Sequence, residues 1–409
     1  MPDASEPYKS SQYWTSHHNW NEDVELPDEI KFHDTTFRDG EQQPGVVFTE
    51  DEKVELGKLY SEMGIDRLEP GLPLVSDDDK RAIERLANEG LEADVYAFTR
   101  CVKEDVEVAV DCDVDGVVME VPSSRHLIEH AYDWSYEQAL EYAIEATEYA
   151  HEQGIDVSFF CIDSSRADPD DLITILSRVK EEGHADSLNV VDTFGALSPA
   201  GTRSLVNLVS GEFDIPIEIH VHNDFGLGVA NTLAGIQAGA EIAHTTVTGL
   251  GERSGNANFE EVATALTALY DYDLNLDLSQ VKEIAEVTSD ASGVDIHESK
   301  PVVGQNQFGI EAGIIAAWWN RLREQEMPLA MYPYHWDLVG QNAPRIAIGK
   351  MSGLATIEYW CDRLGLQAPP EDVQEDILQS IKGTSIGEKR ELSPEEFVDI
   401  YRDTYNPEN

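Results

Sequence analysis

The sequence predicts an α/β protein built on a (β/α)8 TIM barrel, and two observations carry that reading. From residue 30, short β-branched runs alternate with amphipathic stretches, and the alternation repeats eight times within about 240 residues, the length and order of such a barrel. Several of the amphipathic stretches end in Gly, the residue expected just past a helix C-terminus. A doubly wound open sheet is the competing arrangement, but it rarely needs eight such regular units.

The expected strands, in order, are EIKFHDTT (29–36), DRLEPG (66–71), DVYAFTR (94–100), GVVMEVP (116–122), DVSFFCID (156–163), SLNVVDT (187–193), IEIHVHN (217–223) and EIAHTTVTG (241–249). Helical patterns fall between them, among them 49–64, 77–90, 135–154 and 168–183, and the set closes with 258–270. In such a barrel the chemistry gathers where the strands end. Those ends carry Arg38 and Asp39, Glu69, Arg100, Ser123 to His126, Asp163, Thr193, then His220 and His222, then the loop GLGERSGNAN (249–258). Loops are polar simply because they are wet, which accounts for a Ser or an Asp. It accounts less well for a carboxylate, an Arg and two His together.

Composition narrows the classes. Hydrophobic residues make up 41% of the 409, enough for one large α/β domain with a smaller appendage. No run of eighteen apolar residues occurs and the N-terminus lacks a basic-then-apolar leader, so neither a membrane span nor a signal peptide is expected and the location expected is cytoplasmic. Cys101, Cys112, Cys161 and Cys361 are too scattered for a disulfide framework and read as reduced thiols. Eighty acidic residues against 28 basic ones give a net charge of −52, spread along the whole chain. Self-repulsion of that size is screened at molar salt, so a halophilic origin is expected, and direct nucleic-acid binding is disfavoured.

The segment EIHVHND (218–224) places His220 and His222 two apart in an apolar run. Side chains at i and i+2 of a strand share a face, so both imidazoles converge, as metal ligands must. The bland alternative is one hydrogen-bonded core His and one solvent-facing His.

DTTFRDGEQ (34–42), HVHND (220–224) and GLGERSGNA (249–257), in that order, resemble the DRE-TIM metallolyase superfamily, and within it the Claisen-condensing branch of 2-isopropylmalate, homocitrate and citramalate synthases. The likeness runs from about residue 30 to about 366; KPVVGQNQFGIEAG (300–313) and LVGQNAPRIAIGKMSG (338–353) are similar to the small helical subdomains that follow the barrel in those synthases. The implied division is an N-terminal extension (1–29), a catalytic barrel (30–272) and mainly helical C-terminal subdomains (273–409).

The resemblance implies that Asp39, His220 and His222 hold one divalent cation, with Asn256 as a further or weaker ligand. Mixed N/O ligation suits Zn²⁺, Mn²⁺ or Mg²⁺ and leaves positions for a chelating 2-oxo acid. Arg38 is implied to stabilise the enolate oxygen of acetyl-CoA, the cosubstrate. Gln42 is implied to orient Arg38 or the substrate, and Glu69 matches a family strand end. Thr193 is implied to bond the substrate carboxylate, and Arg100, His126, Asp163 and Arg166 lie on the substrate side. In the GLGERSGNAN loop the glycines allow close approach to a ligand, and Glu252 and Arg253 can pair with each other. The implied reaction joins acetyl-CoA to a 2-oxo acid, giving a 2-hydroxy di- or tricarboxylic acid and CoA, in a homodimer.

The pattern also breaks. Where the synthases carry F-x-H-x-S-G-I-H, this chain has Ile310 and Ile315 at the His positions, and isoleucine cannot move a proton. His297, Glu311, Tyr332, Tyr334 and His335 are nearby candidates, none in clear register. After the fifth strand Ile162 replaces the acid of E-D-x-x-R, and after the third Val102 replaces a His. The favoured expectation is therefore a shifted 2-oxo-acid specificity. Because the chain stops at 409, regulation through an appended C-terminal domain is not expected. Two alternatives stand beside the synthase. One is a C–C lyase or aldolase on the same metal centre, disfavoured because lyase-like members carry a Cys in the eighth loop and GERSGN has none. The other is a metal-binding pseudoenzyme, for which the two Ile speak.

Overall fold

The computed structural model describes residues 8–20 and 25–405. Eight parallel strands close a barrel in sequence order: β1 (Lys31–Asp34), β2 (Arg67–Leu68), β3 (Asp94–Arg100), β4 (Gly116–Pro122), β5 (Asp156–Ile162), β6 (Ser187–Asp192), β7 (Ile217–Val221) and β8 (Ile242–Thr245). Closure is made between β1 and β8, with Phe32 level with Ala243 and His33 level with His244. The predicted (β/α)8 barrel is thus the fold. The connecting helices are α1 (Glu50–Met63), α2 (Asp77–Ala87), α3 (Lys103–Val110), α4 (Arg125–His130), α5 (Tyr136–Gln153), α6 (Pro169–Glu182), α7 (Pro199–Ser210) and α8 (Gly228–Ile236), followed by α9 (Phe259–Tyr270) and α10 (Val281–Ser292).

Local chemistry sets these boundaries. Thr49 and Glu52 form a reciprocal capping box at the start of α1, as Ser135 and Gln138 do for α5, while Pro169 and Pro199 open α6 and α7 behind Asp168 and Ser198 caps. Strands β3 and β4 coincide with the expected runs. The first and eighth are shorter than expected. Thr35 and Thr36 continue the β-branched pattern, but the Thr35 carbonyl accepts the N–H groups of Arg38, Asp39 and Gly40, which turns the chain at once. After β8 the backbone turns likewise into a short 3-10 segment, Val247–Gly249.

Inside the barrel, Tyr96, Phe98, Val118, Phe160 and Val191 form an apolar cluster, with Leu72 and Ile162 packed against it. Burying each such side chain stabilises the fold by about 1.5–3 kcal/mol. Gly116 is required by this packing, because a Cβ there would lie 2.4 Å from the Tyr96 ring.

The chain divides into two compact units, Trp20–Ile296 and, in its described parts, Met1–Asn19 with His297–Asn409. The second contains β9 (Gly309–Ile310) and β10 (Arg345–Ile346), paired in parallel, and α11 (Gly313–Glu324), α12 (Leu354–Leu364), α13 (Glu371–Glu388) and α14 (Pro394–Thr404). Of the expected N-terminal extension, residues 1–7 and 21–24 lie outside the described residues. Its residues 12 to 14 hydrogen-bond to the strand-like segment 333–335. Ile310 is buried with Ala316, Trp319, Ile346 and Tyr359, and Ile315 packs against the same cluster. Both positions where a proton carrier was sought are therefore apolar packing positions. Of the substitute candidates, Glu311 accepts the Met351 N–H and His335 caps the turn Trp336–Val339.

Candidate metal centre at the barrel mouth

β1 ends in a tight turn that buries Arg38 and Asp39, and β7 presents His220 and His222. The ligand atoms of Asp39, His220 and His222 lie within 4.8 Å of one another, all three side chains being buried. Asp39 Oδ2 is 3.4 Å from His220 Nε2, 3.6 Å from His222 Nε2 and 2.9 Å from Arg38 Nη1. Its other oxygen accepts the Glu252 N–H at 3.3 Å and Asn256 Nδ2 at 2.8 Å.

Electrostatics put Asp39 and His220 in the ligating form. Burial opposes ionisation of Asp39, yet the Arg38 guanidinium and the two imidazoles hold its carboxyl well below the usual carboxylate range. Burial lowers His220 to about 3, against the pull of Asp39, so its ring is neutral at pH 7 and keeps a lone pair to donate. Asn256 gives its Nδ2 to Asp39 and to the Leu250 carbonyl, leaving Oδ1 buried without a partner, while His220 and His222 turn Nε2 towards Asp39. An unpartnered buried acceptor costs about 1–3 kcal/mol, a cost that a cation beside it would remove. The donor set thus fits a divalent ion.

A second group of ligating type, His33, Glu218 and His244, also lies within 4.8 Å but does not suit a metal. The His33 and His244 rings are stacked, 4.2 Å between centroids and 9° between planes. An imidazole nitrogen donates in its ring plane, and two stacked planes share no point at which one ion could sit. Glu218 is moreover satisfied by Arg67, Ser158, Ser187 and His244. This is a hydrogen-bonded floor beneath the site.

Arg38 is clamped on three sides. Its Nε donates to Glu69 Oε1 at 2.8 Å, Nη1 donates to Asp39, and the guanidinium lies 4.2 Å from the Phe98 ring centroid. Nη2 is buried with no partner, a free donor beside the candidate metal centre. Gln42, expected to orient Arg38 or the substrate, is exposed, and among the described residues its side chain has no hydrogen bond to Arg38, which Glu69 and Asp39 hold instead. Lys53, missed in the sequence because helical lysines usually face water, is buried on α1. Its ammonium meets Glu41, Asp79 and the carbonyls of Phe37 and Pro70, tying the loop after β1 to the loop after β2.

The other expected residues form the rim. Asp163, buried in a left-handed conformation (φ 61°), takes Arg166 at 2.7 Å, His126 at 2.9 Å and the Ser124 hydroxyl at 2.7 Å. Its N–H donates to Thr193 Oγ1, leaving the Thr193 hydroxyl hydrogen for another acceptor. Arg100 is set apart, held bidentate by Asp105. In the eighth loop Arg253 does pair with Glu252, at 3.3 Å, but its closer partner is Asp224 at 2.9 Å. The loop glycines serve the loop itself: a Cβ on Gly251 would lie 2.3 Å from Asn256 Nδ2, and one on Gly255 2.0 Å from the Gly249 carbonyl.

Residues 29–288 match the family described as HMGL-like. The chain is 39% identical over 368 residues to the homocitrate synthase AksA of Methanopyrus kandleri, covering 90% of each chain. It is 38% identical over 364 residues to a probable 2-isopropylmalate synthase of the same organism, covering 89% of this chain and 71% of that one. Its fold is similar to that of the HMG-CoA lyase of Bacillus subtilis, with a TM-score of 0.59 at 18% identity over 66% of this chain and 95% of that one. With the barrel, the Asp–His–His mouth and these likenesses together, the chain belongs to the HMGL-like family of DRE-TIM proteins.

Proposed function

We propose that the protein is a divalent-metal-dependent acyltransferase that condenses acetyl-CoA with a 2-oxo acid, releasing CoA and a 2-hydroxy di- or tricarboxylic acid. The observation that carries this reading is the buried mouth itself, where Arg38 offers an unpaired Nη2 next to Asp39, His220, His222 and the unpaired Asn256 Oδ1. The names borne by similar chains, homocitrate synthase and 2-isopropylmalate synthase, support the same reaction class.

Asp39, His220, His222 and Asn256 would hold the cation, whether Zn²⁺, Mn²⁺ or Mg²⁺, which when bound supplies Lewis-acid polarisation of a carbonyl. Arg38 then has one task, donating from Nη2 to the oxyanion that develops as the thioester enolises. Glu69 and Phe98 fix it beforehand, so little reorganisation accompanies the step. On the rim, Thr193 has a hydroxyl hydrogen to give to a substrate carboxylate, while Arg166 and His126, both anchored on Asp163, supply positive or hydrogen-bonding groups beside it. The polar rim suits a 2-oxo acid with a second polar group. A homodimer in the cytoplasm of a salt-adapted cell completes the proposal.

The test is incubation with acetyl-CoA and a panel of 2-oxo acids in molar KCl, reading free thiol. Thiol release that requires a 2-oxo acid is the expected result. Release that does not require one counts against the synthase, and cleavage of a hydroxyacyl-CoA in the same buffer would favour a lyase.

A further inference from the structure

We propose that Glu120 is the catalytic residue that removes and returns the proton in this condensation, an inference that rests on the synthase reading. Glu120 lies on β4, two residues after Val118, which belongs to the apolar cluster inside the barrel. Alternation along the strand therefore turns Glu120 to the same interior face, one step nearer the mouth. By register it is level with Arg100 on β3 and Phe160 on β5, and Phe160 stands 5.1 Å from the His220 ring.

What singles it out is the lack of a partner. Asp39 and Glu69 are engaged by Arg38, Asp163 by Arg166 and His126, Asp105 by Arg100, and Asp224 by Arg253. Glu120 is only partly exposed, yet among the described residues its carboxylate has neither a hydrogen bond nor an ion pair. A carboxylate held largely inside the barrel, with only the more distant charges of Arg38 and Arg100 to offset it, is costly and needs a reason. Ile162, where a related synthase segment carries an acid, packs against the apolar cluster and offers none. Ile310 and Ile315 offer none either. The carboxylate available to the mouth thus comes from β4.

Burial raises Glu120 to about 7, opposed by Arg38 and Arg100 and aided by Glu69 and Asp105. Tyr132 and Cys101 also face it, and burial keeps both neutral at that pH. A base near the working pH combines a useful ionised fraction with the strongest driving force for proton transfer. In the step assigned to it, a Glu120 oxygen takes a proton from the thioester methyl, and the C–H pair becomes the enolate, to whose oxygen Arg38 Nη2 donates. The enolate carbon bonds to the keto carbon, the carbonyl pair moves to its oxygen, and Glu120 returns the proton there. Water then attacks the thioester carbonyl and the C–S bond breaks; one proton of the water leaves on CoA as the thiol and the other passes to solvent as the new carboxylate forms.

The experiment compares wild type and Glu120→Gln, a near-isosteric change, in the thiol-release assay across pH 5.5–8.5 in molar KCl, together with bound metal and acetyl-CoA affinity by calorimetry. Expected is a loss in kcat of about 10²- to 10⁴-fold, with metal content, acetyl-CoA affinity and KM for the 2-oxo acid within about threefold of wild type on that same split. The acidic limb of the wild-type pH profile, rising through about 7, should vanish in Glu120→Gln and shift in Glu120→Asp. A Glu120→Gln enzyme that keeps wild-type kcat and the acidic limb overturns the role of Glu120 and leaves the synthase reading standing. Wild type that releases no thiol with any 2-oxo acid removes the synthase reading, and the step given to Glu120 goes with it.

Discussion

Asp39 touches more of the site than any other single residue: Arg38, His220, His222, Asn256 and the Glu252 amide all meet its two oxygens. Asp39→Ala should therefore abolish both thiol release and stoichiometric metal binding, measured by elemental analysis after dialysis, whereas an active and metalled variant would remove the metal assignment. His33 permits a different test. Burial lowers it to about 3, so it is neutral in the folded protein and takes up a proton on unfolding at any pH below about 6.5. The folded value is depressed, so the unfolded chain binds the extra proton, and wild type loses stability as pH falls from 6.5 towards 3. Relative to His33→Phe, wild type should lose up to about 1.4 kcal/mol per pH unit in that window, read from denaturant melts of chelator-treated protein. At this scale the sequence displayed the two converging imidazoles, because a period of two is visible in a strand. It concealed Glu120 and Lys53, because a lone acid in a strand or a Lys on a helix reads as solvent-facing until the barrel closes around it.

Among elements, the loops after β1, β2 and β8 build the mouth, and each is stabilised from outside the site. Lys53 on α1 reaches the first two, and Asp79 and Glu41 neutralise it. Lys53→Met leaves two carboxylates crowded without their cation, which should cost about 3–5 kcal/mol in a chemical melt. A change under 1 kcal/mol would show that the ammonium is dispensable. Gly251→Ala belongs to the eighth loop, where the new methyl collides with the Asn256 amide. Weaker metal binding, by about tenfold or more on the scale of displaced metal-site supports, is expected in a competition titration, together with a lowered melting temperature from the clash and from the positive φ of 155°. The order and identity of the barrel elements were legible because capping residues and β-branched runs are local signals. The ends of β1 and β8 were not, since Thr35, Thr36, Thr246 and Val247 keep the hydrophobic pattern while carbonyl hydrogen bonds bend the backbone away.

For the molecule as a whole, the net charge of −52 sets the conditions under which any of this can be seen. The Debye length shrinks from about 10 Å at 0.1 M salt to about 3 Å at 1 M, so self-repulsion fades across that range. The melting temperature should rise steadily with KCl over the same interval. A flat profile would refute salt adaptation as the meaning of the composition. The pairs that hold the mouth together answer to different physics. Arg38 with Glu69, and Arg67 with Glu218 beneath them, lie largely buried inside the barrel, where dissolved salt screens them far less. The ionic atmosphere therefore governs how many molecules are folded, while the charge lattice within each folded one stays the same. Brine acts on this protein as a switch on population and leaves the architecture of its mouth unchanged: once folded, a molecule in dilute buffer should keep the same buried ion pairs as one in saturated salt, for as long as it survives.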